Sequence, residues 1–528
     1  MRHLLLAAGL ALSALPAVAV AQRDDRTAIC ADTTAAPEKR ADACTKLARA
    51  NKRDADVRVR AAEALVQLER YDEALNVAGE AVKLAPGSAA AHEVRGRALS
   101  GLDKDDDAVK EFRRAVELDP ARHSARRRLA GLLAYLERYD EAEKAARELV
   151  AAAPREARSH DVLGHVLMQA ERYQAALEAF RAAAAIDPKD TQYITDQVSA
   201  LGALDRPEDA IATYRRAMKA APNEAALPRA LGEYLTELGR HEEAAKSFDA
   251  ESRIDKSSAD PLRRKGDALL AAGKTKDAVA AYQAAVRRDS TSAGARYDLA
   301  SGLLMSDRPA DAVPVFQASL RLDSTVAVTH NDLGVAYERL GRPADALAEY
   351  EHAARLDTAS TLFSSNYARS LHVAGRSNDA LRVVDRMIAR GPRDAESHLL
   401  RSQLLREMGR ADDALKSGRR AVALDSTNVQ AHVNLGLLLL STGQIPGADS
   451  AFARATAADS TVAATWALRG ITRAAMDDPG SALAFFERTR RLDPRFFDEH
   501  PQAREVMEQV TSQLATGQAP SGPKKRDE

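Results

Sequence analysis

The chain is 528 residues long, enough for three or four domains of about 150 residues each. Its 76 Lys and Arg against 77 Asp and Glu leave a net charge of −1, which excludes a polybasic nucleic-acid binder or an acidic tail protein at whole-chain level. With 27 Gly and 20 Pro it is neither collagen-like nor low-complexity, and with 10 Phe, 12 Tyr and 1 Trp its core must rely on small side chains at close contacts.

Residues 1–21 read as a secretory signal peptide. Arg2 and His3 form a positive start, Leu4–Leu15 an apolar run, and Ala19-Val20-Ala21 a small-x-small cut site before Gln22. The other reading, an uncleaved membrane anchor, fits Pro16 and the small residues less well. The expected location is therefore periplasmic or secreted, with no integral membrane segment after cleavage. The only two cysteines, Cys30 and Cys44, are expected to pair in an exported chain. They lack the CxxC spacing and the nearby histidine of a redox or metal site.

From residue 55 onward the sequence repeats. Alanine recurs at 34-residue intervals from Ala74 and Ala108 through Ala278 to Ala448 and Ala482, thirteen times without an insertion. Twelve residues before it stands a small residue in most repeats, among them Gly96, Ala130, Gly164, Gly232, Gly266, Gly334, Gly436 and Gly470. Four residues after it stands an aromatic in nine repeats: Phe112, Phe180, Tyr214, Phe248, Tyr282, Phe316, Tyr350, Phe452 and Phe486. Repeats close with Asp-Pro, as at Asp119-Pro120, or with Asp-Ser and Asp-Thr in the same register.

One repeat already predicts a helical hairpin. Ala89–Leu102 is spaced as a first helix, Asp103–Asp106 supplies turn and N-cap chemistry, and Ala108, Phe112 and Ala115 mark one face of a second helix ended by Pro120. Gly96 and Ala108 let the helices approach, and Phe112 fills the space beyond. Such a hairpin cannot bury its apolar face alone, so neighbours must stack.

This pattern resembles the tetratricopeptide repeat family across residues 55–496. The resemblance implies an all-α fold, an α–α superhelix or solenoid of about thirteen hairpins. Counting back one repeat places Arg40 in the alanine slot and Cys44 in the aromatic slot, so residues 22–54 are expected to form a partial hairpin stapled by the Cys30–Cys44 disulfide. Phe497 to Ala515, with Val506, Val510 and Leu514, suits a C-terminal capping helix over 497–515. Residues 516–528, with Lys524-Lys525-Arg526, read as a disordered tail.

Chemistry is sparse. No P-loop, dinucleotide fingerprint, HExxH, nucleophile elbow or EF-hand loop occurs, so no enzyme, cofactor or metal is expected. His92, His160, His330 and His432 share the fourth slot of their repeats with Trp466 and read as packing rings rather than ligands. His160 and His165 lie five apart, poor spacing for one helical face. Tyr135, Tyr193, Tyr234 and Tyr297 are left as surface aromatics, and Arg126-Arg127-Arg128 as a solvated face.

Members of the family bind protein or peptide partners in a concave groove lined by slots 2, 5, 6, 9 and 12–13 of each repeat, and some clamp a terminal carboxylate there with Lys and Asn. Val59 and Glu63, Arg127 and Gly131, and Arg229 and Glu233 depart from that clamp. Asn331, Arg339, Asn366 and Arg369 form the expected polar partner-binding patch. Leu399, Val433, Leu437, Leu440, Ala467, Leu468 and Ile471 form an apolar stripe, expected to hold a partner, to lie under the capping helix or to be covered as the superhelix closes on itself. The implied function is an exported scaffold for protein–protein interaction, in envelope assembly or an export or maturation complex. The alternative is a glycan- or peptidoglycan-associated factor of a polysaccharide export machine.

Overall fold

The structure, a computed structural model, describes residues 25–188 and 190–516; the expected signal peptide at 1–21 and the tail from residue 517 onward lie outside them. No strand occurs among the described residues. The chain divides into an N-terminal body ending at Asp255 and a C-terminal body starting at Lys256. Each is a row of antiparallel helical hairpins, here called repeats 1–6 and 7–13, with an A and a B helix in each. In repeat 2 these are Ala89–Ser100 and Asp105–Leu118; in repeat 12 they are Val429–Ser441 and Ile445–Ala458. No described helix is long and apolar enough to cross a membrane.

The alanine frame is the helix contact. All thirteen alanines of that slot, from Ala74 to Ala482, are 0% exposed. Where slot 8 is glycine, the aromatic of slot 24 in the same repeat lies flat against it. A Cβ added at Gly164 would stand 2.4 Å from a Phe180 ring carbon, and one at Gly266 would stand 2.3 Å from Tyr282. The same pairing joins Gly436 to Phe452 and Gly470 to Phe486. Repeat 11 drops the aromatic, and its slot 8 grows to Ser402, which faces Gly418 and donates to the Ala414 carbonyl at 2.8 Å. Ring and small residue are thus one packing unit.

The two loops of each repeat use different chemistry. Between A and B helices, the sequence suggested side-chain capping from Asp103–Asp106. Instead Asp103 adopts φ 57°, and the N-cap Lys104 makes no side-chain cap bond. The same left-handed position recurs every repeat, occupied by Glu or Asp in repeats such as 1 and 3 (Glu69, Glu137) and by glycine in others, such as Gly239 and Gly443. It closes the A helix with a bond spanning five residues, as from Arg70 N to Leu65 O at 3.0 Å. Most side-chain caps sit in the other loop, before the A helices: Asp54 accepts from Val57 N at 3.0 Å and Asn428 from Ala431 N at 2.9 Å, whereas in repeat 13 Asp478 caps the B helix from Ser481 N at 3.1 Å. The repeat-closing aspartates fold the same loop. Asp289 accepts from both the amide and the hydroxyl of Thr291 at 2.8 Å, which holds its carboxyl below the usual range.

At the N-terminus, helical residues 25–31 and the helix Pro37–Ala50 pack together, with Cys30 and Cys44 joined and Cα atoms 4.9 Å apart. Arg40, in the alanine slot, is buried rather than replaced, and it is paired with Glu63 at 3.0 Å. The disulfide closes a loop of 15 residues, for which chain entropy gives about 3 kcal/mol. Reducing it is expected to lower the stability of the N-terminal body by about that amount, read as a shifted urea midpoint. Equal midpoints for oxidised and reduced protein would contradict the staple. At the C-terminus the expected single cap over 497–515 is instead a short helix Phe496–Glu499 followed by Pro501–Thr516. Pro501 starts the second helix at the position where its missing N–H costs nothing. Phe496, Phe497 and Val510 are buried against repeat 13, whereas Leu514 is exposed.

Candidate functional site

Slot 4 proves to be a donor position and not merely a packing position. His92, His160, His330 and His432 each place Nε2 3.0–3.2 Å from a backbone carbonyl six residues earlier. Trp466 Nε1 makes the same bond to Ser460 at 3.0 Å, and Arg126 reaches Pro120 at 3.0 Å. These rings satisfy the carbonyl of the inter-repeat loop. His398, which the sequence reading passed over, does the same to Pro392 at 3.3 Å. His330 also has Glu349 at 2.6 Å on Nδ1, and this bond holds its imidazole above the ordinary value.

The expected polar patch is only partly available. Asn331 is 4% exposed; its amide donates to Asp332 at 3.0 Å and its carbonyl accepts from Asn366 at 2.8 Å. It is a structural link between repeats 9 and 10, not a groove donor. Arg339 bonds the Leu304 carbonyl at 3.0 Å, and Arg369 is exposed. The arginine run is likewise engaged: Arg127 pairs with Glu156 at 2.8 Å, and Arg128 lies 3.8 Å from Glu93.

The apolar stripe of repeats 11–13 is largely core. Leu399 is buried with Ala421 and Ala431. Leu437, Leu440 and Leu468 are half-buried against the cluster around Leu438 and Phe452, and Val433 is half-buried. Ala467 is buried, and Ile471 packs with it in the cluster that holds Phe486, Phe497 and Val510 of the cap. Ile471 therefore belongs to the capped end, and changing it tests stability before it tests binding.

Exposed apolar side chains at inner slots gather elsewhere. Met305 and Val373 occupy slot 13 of repeats 8 and 10, and Val328 and Leu362 occupy slot 2 of repeats 9 and 10; Val373 is 71% and Leu362 57% exposed. In the N-terminal body the exposed slot-13 residue is Tyr135, at 75%. It lines a cavity of about 570 Å³ with Tyr71, Arg97, Arg128, Asp103 and Asp105. Burial, and then the Arg97 charge, push the Arg128 guanidinium down from its usual value, so this wall presents two crowded cations. Of the other tyrosines expected at the surface, Tyr193 is buried with Ala157 and Ala183, and Tyr297 donates to Asp332 at 2.9 Å.

One group among the described residues has metal-ligand geometry: Asp161, His165 and Asp196, whose ligand atoms lie within 4.8 Å of one another. Spacing of His160 against His165 hid it, because the partner of His165 is Asp161, one turn earlier. Asp196 arrives from the next repeat, which no local pattern shows. Contact with Asp161 holds the His165 imidazole up, and burial pushes the Asp196 carboxyl up.

No curated protein matches this sequence. Among solved structures, the chain is similar to yeast Tom70, with 15% identity, a TM-score of 0.42, and coverage of 81% of this chain and 96% of that one. It is also similar to the Naa15/Naa10 complex bound to HypK-THB, with 13% identity, a TM-score of 0.42, and coverage of 96% and 97%. A tetratricopeptide repeat protein from Parabacteroides merdae matches at 16% identity and a TM-score of 0.39, over 47% of this chain and 98% of that one. A family model described as tetratricopeptide repeat matches residues 59–123, 127–191, 195–259, 263–327 and 366–429, and a second of the same description matches 327–360. These matches span more than half of the sequence and follow the hairpins seen in both bodies, so the chain belongs to the tetratricopeptide repeat family.

Proposed function

We propose that this chain is an exported, non-catalytic scaffold that holds a protein or peptide partner along the inner slots of its repeats. Tetratricopeptide repeats generally serve as protein-interaction scaffolds rather than as enzymes. The disulfide between Cys30 and Cys44 supports an oxidising compartment, and the sequence of residues 1–21 supplies the export signal. The observation that carries the reading is the run of exposed apolar residues in repeats 8–10. Met305, Val328, Leu362 and Val373 are exposed at inner slots, in the same repeats as Arg339 and Arg369. Apolar side chains left in water, in repeats that also carry exposed Arg369, suit an extended peptide with apolar and acidic groups. A preformed helical surface spends little ordering entropy on its own side.

Placing a photoreactive phenylalanine at Val373 or Leu362 tests this. Discrete protein adducts are expected at these two positions and not at Leu84 or Leu356, exposed residues at the ends of B helices. Identical adduct patterns from all four positions, or none from any, would overturn the inner-slot reading.

A further inference from the structure

Slot 5 of one repeat meets slot 6 of the next, and several of these rungs carry complementary groups. Glu93 faces Arg128 at 3.8 Å, Arg263 pairs with Asp298 at 2.5 Å, and Tyr297 donates to Asp332 at 2.9 Å. Asn366 donates to Asn331 at 2.8 Å. Between repeats 4 and 5 the same rung is Asp161 and Asp196, two carboxylates. Asp196 is 6% exposed, and its Oδ2 has no hydrogen-bond partner. Its Oδ1 accepts from Gln192 Nε2 at 3.0 Å, which turns Oδ2 toward the cluster. Asp161 Oδ1 is also buried, with only the His165 ring as a neighbouring donor. His165 Nε2 stands 3.3 Å from Asp161 Oδ1 and 3.8 Å from Asp196 Oδ2.

A buried carboxylate oxygen without a donor, Asp196 Oδ2, facing a second carboxylate is costly unless a cation joins them. We infer that Asp161, His165 and Asp196 form a binding site for a divalent transition metal of the zinc class. Nitrogen and oxygen ligands sit about 2.0–2.2 Å from such an ion, so neighbouring ligands of a tetrahedral site stand about 3.3 Å apart. The two distances from His165 already approach that spacing, so side-chain adjustment suffices. One imidazole with two carboxylates suits zinc, cobalt or copper; calcium and magnesium ask for more oxygens. The Phe180 ring lies edge-on to His165 at 5.2 Å and orients it, and Gln192 orients Asp196 from behind. His165 is half-exposed, which leaves a further coordination position open to water or to a group brought by a partner.

Cobalt titration of the chelator-treated full chain tests the site, because cobalt in such a site absorbs in the visible. We expect saturation near one equivalent, displacement by zinc, and loss of the band in His165→Ala and in Asp196→Asn. Gln192→Ala is expected to weaken binding about 10–100-fold. His160→Ala, whose ring serves the Pro154 carbonyl, is expected to leave the band unchanged. Circular dichroism confirms that each variant stays helical. No band in the wild-type chain would show that His165 only carries a proton between the carboxylates, and an unchanged band in folded His165→Ala would place the metal elsewhere. Either result overturns the inference.

Discussion

Truncating Phe452 to alanine is expected to destabilise the C-terminal body by about 3–5 kcal/mol, the range for emptying a buried aromatic site. Phe452 is fully buried, in one cluster with Leu435, Leu438 and Ala448. Its ring occupies the space that a side chain at Gly436 would need, since a Cβ there would stand 2.5 Å from ring carbon Cε1. Once the ring is gone, a void lies against bare helix backbone, which cannot collapse inward. The same geometry gives a sharper check. Gly436→Ala clashes while the ring is present and fits once it is absent, so the double variant Gly436→Ala, Phe452→Ala should be more stable than the two single losses added together. Urea denaturation of the three variants reads this directly, and strict additivity would contradict the pairing of slot 8 with slot 24.

The second large effect is overpacking of the same contact in the N-terminal body. Gly232→Leu is expected to cost about 1–3 kcal/mol, because its first added carbon already meets Phe248 Cε1 at 2.5 Å. In the C-terminal body, Ala278→Leu should cost about as much, since Ala278 is fully buried at the helix contact. Gly131→Leu is the control, because a Cβ at Gly131 meets nothing within 4 Å. Denaturation midpoints should fall for the first two and not for the third. Unchanged midpoints in both Gly232→Leu and Ala278→Leu would refute the repeat frame.

Much of the fold was legible because one residue type at one spacing marks the tightest contact. The alanines from Ala74 to Ala482 announce where helix backbones touch, and a glycine twelve residues earlier announces the ring that covers it. Loop chemistry was less legible. Asp103 looked like a cap, yet the left-handed turn it occupies takes Glu, Asp or Gly alike, and most working caps stand before the A helices, at residues such as Asp54 and Asn428.

Site residues were hardest to read, for a physical reason. A slot number says which face a side chain occupies, but its availability depends on a partner one repeat away. Asn331 looked like a free donor until Asn366 met it across the rung. For Ile471 the sequence left groove and capped end open, and only the packing of the C-terminal helix beside it chose the second. The Asp161–His165 pair, one helical turn apart, was hidden behind the His160–His165 comparison, and Asp196 became its neighbour only when repeats 4 and 5 stacked. Histidines of slot 4 were placed correctly but given too small a role, because a ring N–H aimed at a loop carbonyl has no signature beyond the slot itself.

Each hairpin draws its stability from the hairpins on either side of it. Amide hydrogen exchange of Phe452→Ala, mapped by mass spectrometry, measures this most directly. Lost protection is expected in repeats 11–13, with repeats 7 and 8 exchanging as in the wild-type chain. A uniform loss of protection across the whole C-terminal body would mean that its helices share one common core, which contradicts stability drawn from neighbouring hairpins.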